Sequence, residues 1–481
     1  MGIIRRQQPN WLIGLVAFGI VFLLTIIINN TSYPYDSGNY DKLSKSFFVD
    51  GQFALTNFES SIRGVIFPLF LAPFNIISEK LIGSEFFGWR FFISLFSGAF
   101  VIAFQYIFKA YERKRMLLLP LILTLITWYG LFLAPLSDLI AAYLLVFSLA
   151  CINIAYSRVR ENTWSLTEVF LFFLTGVFLY AAYNTRTVFL FACPFILLII
   201  FANRKVGRKK SLLILLVIII GVGALGSLQG AVNFQSHGEF TPAVITKSNK
   251  YKEGLFLFQL SHGIPIGLYE TYMGPDVDNH AYRYSDPAGA EILKVREVKT
   301  DNYKEYFKTI LKHPIDSLGL YTRHFLVLMN PIDGGGYVYS HNNSRAILTL
   351  LNYSMIFIVI SFLRRKSERR SEADLTFRER ISALTYAKKT SILSVTTLLA
   401  PFIAIIPGAI EERFALPFWL ILYGLLSYVI NLKDELRYYR KNLAISIVYY
   451  CVGFAILMAV VTLVYANNPQ GMLVPILELK R

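Results

Sequence analysis

Along the chain, unbroken apolar stretches alternate with short polar segments. The apolar runs lie near 12–29, 89–108, 117–134, 138–156, 166–183, 188–202, 211–230, 345–363, 390–407, 414–431 and 443–466. A helix crosses about 30 Å of hydrocarbon with roughly 20 apolar residues. The pattern therefore predicts an all-α polytopic membrane protein with about eleven transmembrane helices. One further stretch, "RGVIFPLFLAPFNIISEKLIG" at 63–83, is apolar enough to be a twelfth. If it crossed, every later basic loop would change sides. Taken instead as a helix in the outer interface, broken by Pro68 and Pro73, it leaves all the basic loops on one side.

Those loops are "YERKR", "YSRVR", "NRKVGRKK", "FLRRKSERR" and "NLKDELRYYRK", which carry much of the formal net charge of +16. Basic residues confined to short inter-helix loops mark the cytoplasmic side and add attraction to anionic membrane lipids. Nucleic acid is not the expected partner. The N-terminus is then cytoplasmic and the first apolar run is a retained helix. The long segments 30–88 and 231–344, with the tail after 466, face outward. This divides the chain into an N-terminal transmembrane module (1–230) holding the external loop 30–88, an external subdomain (231–344) and a C-terminal transmembrane module (345–481).

The 231–344 segment is too long for a passive connector and predicts a small mixed subdomain of turns and short elements. Within it "DSLGLYTRHFLVLMN" (316–330) is apolar but too short to span and is expected on the surface. "DGGGYVY" is a turn in which Gly334–Gly336 form either a mobile cover or a plain loop. Composition is 55% hydrophobic, 15% aromatic and 16% charged, which excludes an ordinary soluble domain. The three cysteines lie in apolar runs and the six histidines show no H-x-x-x-H pair, so neither a disulfide framework nor a histidine metal site is expected. With no sorting signal, a bacterial plasma membrane is the most economical location.

This topology collects ionised groups at one depth: Asp36, Asp41 and Arg63 in the first loop, Asp138 in "APLSD", Arg186 in "YNTRT", and Glu411, Glu412 and Arg413 in "PGAIEERFALP". Each alone suits a helix cap or a solvated loop. As a set they suggest a site, because ionisable residues at membrane depth are costly and tend to be functional. Asp36 in "PYDSGNY" is expected to cap a helix running through "YDKLSKSFF", among Tyr33, Tyr35 and Tyr40.

"YDSGNYDKLSKSFFVDGQFALT", "RGVIFPLFLAPF" and "GSEFFGWRFFISLFSG" together resemble the start of the GT-C membrane glycosyltransferases, in particular the protein O-mannosyltransferases and the enzyme that adds aminoarabinose to lipid A. In that family an external Asp is followed by interfacial helices, a proline-aromatic stretch and an arginine-bearing helix start; Asp36, Tyr40, Pro68 and Arg90 match. "LAPLSDLIAAYLL" is similar to a second acidic position, matched by Asp138. "EERFALPF" resembles a late motif whose arginine contacts a lipid-linked phosphate, matched by Arg413. Ser37 stands where the family has a second acid, and "RGVIFP" lacks its paired prolines.

The resemblance implies a GT-C-like fold and an inverting glycosyltransferase, acting on the outer face, that moves a sugar from a polyprenyl-phosphate donor to a polysaccharide, lipid or protein acceptor. Such transfer requires a base for the acceptor hydroxyl, for which Asp36 is the candidate, and cations for the leaving phosphate. Arg413 is the best clamp, since guanidinium presents a planar donor fork and stays ionised. Arg63 and Arg186 are secondary clamps or partners of acids, and Tyr40, Asp138, Glu411 and Glu412 complete the donor and acceptor set. The same acids leave open a divalent cation, magnesium or manganese, held by Asp36 and Asp138. Two other functions stay in view: a lipid-linked saccharide flippase or transporter, and a polysaccharide polymerase or ligase using Arg323 and His324.

Overall fold

The computed structural model describes residues 11–475, apart from 30–32, 34, 50–51, 59, 61, 85, 109–115, 159–164, 203–205, 248–253, 273–279, 287, 290–291, 293–301, 330–343, 372–385 and 467–473. Gly334–Gly336 and His341 lie outside the described residues, as does the side chain of Tyr35. All eleven apolar runs are helical. We number the helices α1 (Trp11–Ile28), α2 (Tyr35–Ser46), α3 (Ile66–Ile77), α4 (Phe87–Phe104), α5 (Leu119–Trp128), α6 (Ser137–Arg158), α7 (Leu166–Thr185), α8 (Cys193–Ala202) and α9 (Arg208–His237). The chain continues through α10 (Leu255–His262), strands β1 (Ile266–Tyr272) and β2 (His280–Ser285), α11 (Tyr303–Lys312) and α12 (Pro314–Leu328). It ends with α13 (Ser344–Ser371), α14 (Tyr386–Ile405), α15 (Leu416–Gly424), α16 (Leu432–Lys441) and α17 (Leu443–Ala466).

The molecule is an all-α polytopic membrane protein. Among the described residues eight helices are long and apolar enough to cross a membrane, or nine if Glu412–Val429 and α16, bent by 88°, count as one span. Two of the eleven expected spans fold in shorter pieces. Pro120 falls in the first turn of α5, where its missing N–H leaves no helical bond unmade, and the helix stops before Gly130. Pro194 likewise starts α8, and the residues before it, Thr187–Ala192, coil as a 3₁₀ helix.

Helix α6 is the axis of the bundle and is buried along almost its whole length. It packs chiefly against α7 and also touches α4, α14 and α15. Phe100 stacks on Tyr143 at 4.2 Å and Trp89 donates to the Phe132 carbonyl at 2.9 Å, joining α4 to this core. The outer helices are the reverse. Trp11, Ile27, Leu443 and Leu463 are exposed apolar residues on α1 and α17, a surface that only a bilayer solvates without penalty. Helices α7 and α9 approach through small residues: a Cβ on Gly176 would lie 2.0 Å from the Ile218 carbonyl oxygen, and one on Gly221 would lie 2.2 Å from that of Phe173.

The 63–83 stretch forms the 12-residue α3, continued by one π turn over Ser78–Ile82. At 1.5 Å per residue α3 is about 18 Å long, too short to span alone. The expected proline breaks are absent: Pro68 falls within the first turn, where an N–H is dispensable, and the helix runs on through Pro73. Asn75 holds α3 to α2 by donating to Asp41 Oδ1 at 2.9 Å and Ser44 Oγ at 2.7 Å. Lys45 then bridges Asp41 at 3.1 Å and Glu79 at 3.0 Å.

Between α9 and α13 the described elements are helical and strand-forming. β1 and β2 pair antiparallel, with Tyr272 opposite His280, and Val474–Pro475 adds a third strand beside β2. The 316–330 stretch is not simply surface-lying. As α12 it buries Leu320, His324, Val327 and Leu328.

Substituting Gly221 by Leu is expected to cost roughly 1–3 kcal/mol or more through overpacking at the α7–α9 contact. A lower midpoint of thermal unfolding in detergent checks this; Gly223→Leu, where open space surrounds the position, is the matched control.

Candidate functional site

Helix-end residues distant in sequence converge at one end of the bundle. Asp36 occupies the first turn of α2, which begins at Tyr35, so it is not the cap itself. A carboxylate there complements the helix dipole. Arg63 Nη2 donates to Asp36 Oδ1 at 2.7 Å, while its guanidinium lies over the Tyr40 ring at 4.7 Å. Tyr40 is buried and packs on Phe67 of α3 at 4.9 Å.

Asp138 sits in the first turn of α6, only 5% exposed. Arg186, in the extended residue that ends α7, donates to its Oδ1 and stacks over Phe414 at 4.4 Å. Arg413 lies on the short 3₁₀ turn Glu412–Ala415 before α15 and is 7% exposed. Its Nε pairs with Glu411 Oε2 at 2.6 Å and lies 3.8 Å from Asp138 Oδ2; its Nη2 lies 3.6 Å from Asp36 Oδ2. One guanidinium thus reaches three carboxylates from three segments. Glu412 is buried beside it.

The arrangement alternates three arginines with three acids, and the local electrostatics follow. Burial pushes the Asp36 carboxyl up, but the Arg63 guanidinium and then that of Arg413 outweigh it and hold the group below its ordinary range. Burial raises Glu411 despite its contact with Arg413. Arg186 is pushed down to about 10 by burial and then by the neighbouring charge of Arg413. Arg63 moves upward, because Tyr40 and Asp36 outweigh its burial.

Beside these charges lies a small, partly open cleft with a cavity volume of about 10 Å³, lined by Asp138, Arg186 and Arg413 together with apolar residues that include Val188, Phe189, Pro401 and Ile405. Guanidinium groups next to an apolar wall suit an anion carried on a hydrocarbon.

Every residue singled out as the central set from sequence, Asp36, Tyr40, Arg63, Asp138, Arg186, Glu411, Glu412 and Arg413, falls in this region. Others do not. Arg90 hydrogen-bonds Asn29 at 2.8 Å, away from the cluster. Asp41 serves the α2–α3 contact. Arg323 forks onto Asp286 at 2.6 and 2.8 Å, and His324 is buried between the carbonyls of Ile406 and Ile266. The sequence gives no signal for Phe414 as a platform or for the cleft's apolar wall, both of which arise from chain segments meeting in space.

A divalent cation needs several oxygen ligands turned toward one point. Among the described residues no group of three His, Cys, Asp or Glu side chains converges in that way. Asp36 and Asp138 each face arginine, with Arg413 between them. As arranged, these side chains do not fit the magnesium or manganese site considered from sequence.

No protein-family model matches the chain, and no curated protein matches it. Among solved structures it is similar to the archaeal oligosaccharyltransferase AglB from Archaeoglobus fulgidus, determined in complex with an inhibitory peptide and a dolichol-phosphate. The two share 13% identity with a TM-score of 0.44, over 95% of this chain and 55% of that one. This chain therefore spans about half the length of that neighbour. A likeness so distant bears on neither individual residues nor activity.

The depressed Asp36 carboxyl gives a pH prediction. Its folded-state value lies below the unfolded one, so its stabilising contribution is full above about pH 4 and is lost as pH falls through the folded value. Asp36→Asn should therefore be less stable than wild type at pH 7, with the gap closing progressively on acidification below pH 4. Parallel unfolding titrations of the two proteins measure that gap.

Proposed function

We propose that the chain is an integral-membrane glycosyltransferase that uses a polyprenyl-phosphate-linked sugar. The observation that carries the proposal is the set of three arginines, Arg63, Arg186 and Arg413, interleaved with Asp36, Asp138 and Glu411 at one bundle end beside an apolar-walled cleft. Phosphate oxygens would take up the guanidinium forks of Arg413 and Arg186. The prenyl chain would follow Val188, Phe189 and Ile405 toward lipid.

The pairing also supplies a reason for the acids. They keep three guanidinium groups neutralised until a stronger anion arrives. When phosphate draws Arg413 away, Asp36 loses one of the charges that depress it and becomes a better proton acceptor. The acceptor hydroxyl oxygen then attacks the anomeric carbon and its proton passes to Asp36. The carbon–phosphate oxygen bond breaks with its electron pair leaving on polyprenyl phosphate, whose negative charge the arginines hold. A single displacement inverts configuration.

The basic residues support an external site. Arg158 ends α6 at the pole opposite Asp138, and Lys433, Arg437, Arg440 and Lys441 lie on α16 beyond the far end of α15. By the positive-inside rule that pole is cytoplasmic. The acceptor is a glycan, lipid or protein, and a bacterial plasma membrane remains our proposed location.

The test uses purified protein supplied with polyprenyl-phosphate sugars. Asp36→Asn should lower turnover by about 10²–10⁴-fold, the range for losing a general base, and Arg413→Ala should raise the donor KM as well as lower kcat. Wild-type transfer by a folded Asp36→Asn protein would remove Asp36 from the mechanism. Donor translocation into vesicles with no transfer product would instead establish a flippase.

A further inference from the structure

Arg63 opens a bend, residues 63–65, from which α3 departs. The first N–H groups of any helix lack intrahelical partners, and here they are met by side chains from two transmembrane helices. Val65 N–H donates to Gln229 Oε1 at 3.0 Å and Ile66 N–H donates to Asn184 Oδ1 at 2.8 Å. The same two amides are joined to each other, Asn184 Nδ2 donating to Gln229 Oε1 at 2.8 Å.

The chain of amides continues. Gln229 Nε2 donates to Asn233 Oδ1 at 2.8 Å, and Asn233 Nδ2 donates to the carbonyls of Thr241 at 2.6 Å and Ala243 at 2.8 Å. Tyr180 donates its hydroxyl proton to the Pro242 carbonyl at 2.6 Å, and Tyr183 accepts from Val244 N–H at 3.1 Å. Asn184, Gln229 and Asn233 are 1%, 2% and 3% exposed. Three buried amides are costly unless every donor and acceptor is met. The bend is also pressed hard onto α7: a Cβ on Gly64 would lie 2.1 Å from the Asn184 carbonyl oxygen.

We propose that Asn184, Gln229 and Asn233 are positioning residues that set Arg63 against Asp36 and make its placement depend on the 241–244 segment. A helix needs only one cap to start. This bend is gripped at two successive N–H groups, two and three residues after the guanidinium that pairs with Asp36, and the grip runs without interruption to a loop more than a hundred residues away in sequence. Movement of 241–244 would thus reach the ionic cluster through a chain of hydrogen bonds. The functional half of the proposal rests on the glycosyl-transfer reading above; the structural half does not.

The experiment compares wild type with Gln229→Met, which keeps side-chain length and removes the acceptor, and with Gln229→Glu at mildly acidic pH. There a buried carboxyl stays protonated, its C=O accepting and its O–H donating as the amide did. Hydrogen exchange in detergent should be at least tenfold faster at Val65 and Ile66 in Gln229→Met and unchanged on α6. Phenylglyoxal labelling of Arg63 should accelerate at least threefold. Gln229→Glu should restore both readouts to within about twofold of wild type. In transfer assays Gln229→Met should lower kcat at least tenfold with donor KM within twofold, and should add nothing in an Arg63→Ala background.

Unchanged exchange or labelling overturns the proposal. So does faster exchange with full turnover, which would make the amides a helix cap only, and so does an independent further loss in the double variant. If Gln229→Met does not fold, Asn233→Leu, which breaks the relay at its far end, must show the same changes in lesser degree. A wild-type protein that makes no transfer product sinks the glycosyl-transfer reading by itself, while exchange and labelling still decide whether the amides hold Arg63.

Discussion

The structure at the charged pole depends on a single requirement: guanidinium groups removed from bulk water must be met by carboxylates. Arg413 is 7% exposed, and it satisfies that requirement through Glu411, Asp138 and Asp36, contributed by its own turn, by the start of α6 and by the start of α2. Removing one partner of such a set leaves charge uncompensated in a low-dielectric setting, which costs far more than a surface pair contributes. The ends of otherwise independent helices are thereby tied into one unit. Arg63 and Arg186 extend it at either side, each against one of the same acids.

This unit rests on a scaffold stabilised by different means. Within the bilayer there is little hydrophobic gain in bringing helices together, so α7 and α9 rely on close backbone approach at Gly176 and Gly221 and on the amides near their charged-pole ends. At the opposite pole Arg365 pairs with Glu435 and stacks over Tyr438 at 3.9 Å, fixing α16 against the end of α13. Charge is concentrated at the two poles and the middle is apolar. That distribution is the one a bilayer favours.

Much of this was legible in the chain because the bilayer simplifies the code. Apolar runs become helices whatever their periodicity, since a helix is the one structure that satisfies its backbone in hydrocarbon within a single segment, and all eleven runs are helical. The acids and arginines at helix ends stood out for the same reason. What stayed hidden was whatever depends on how segments meet. Nothing in "YNTRT" or "LQGAVNF" shows that Asn184 and Gln229 would grip the bend after Arg63, although polar amides four apart in an apolar run, Gln229 and Asn233, are a usable signal. Local chemistry also misled. The sequence predicts a break at Pro73 where α3 in fact continues, while Pro120 and Pro194 decide where two short helices begin. Arginines between the acids likewise turn an oxygen-rich list of residues into an arrangement unsuited to a dication.

The right-angle turn after Val429 has a consequence for depth. Between Arg413 and that turn lie α15, nine residues, and a five-residue π segment, roughly 21 Å at 1.5 Å per residue. Beside it α6, with 22 residues, covers about 33 Å. Asp138 in the first turn of α6 keeps Arg413 level with the start of that helix, so the shortfall falls at the other end, where α16 turns away. On these lengths α16 leaves at 88° beside the last turns of α6 rather than beyond them. A helix set at right angles to its span and carrying Lys433, Arg437, Arg440 and Lys441 suits the membrane interface, with its basic side chains toward lipid phosphates.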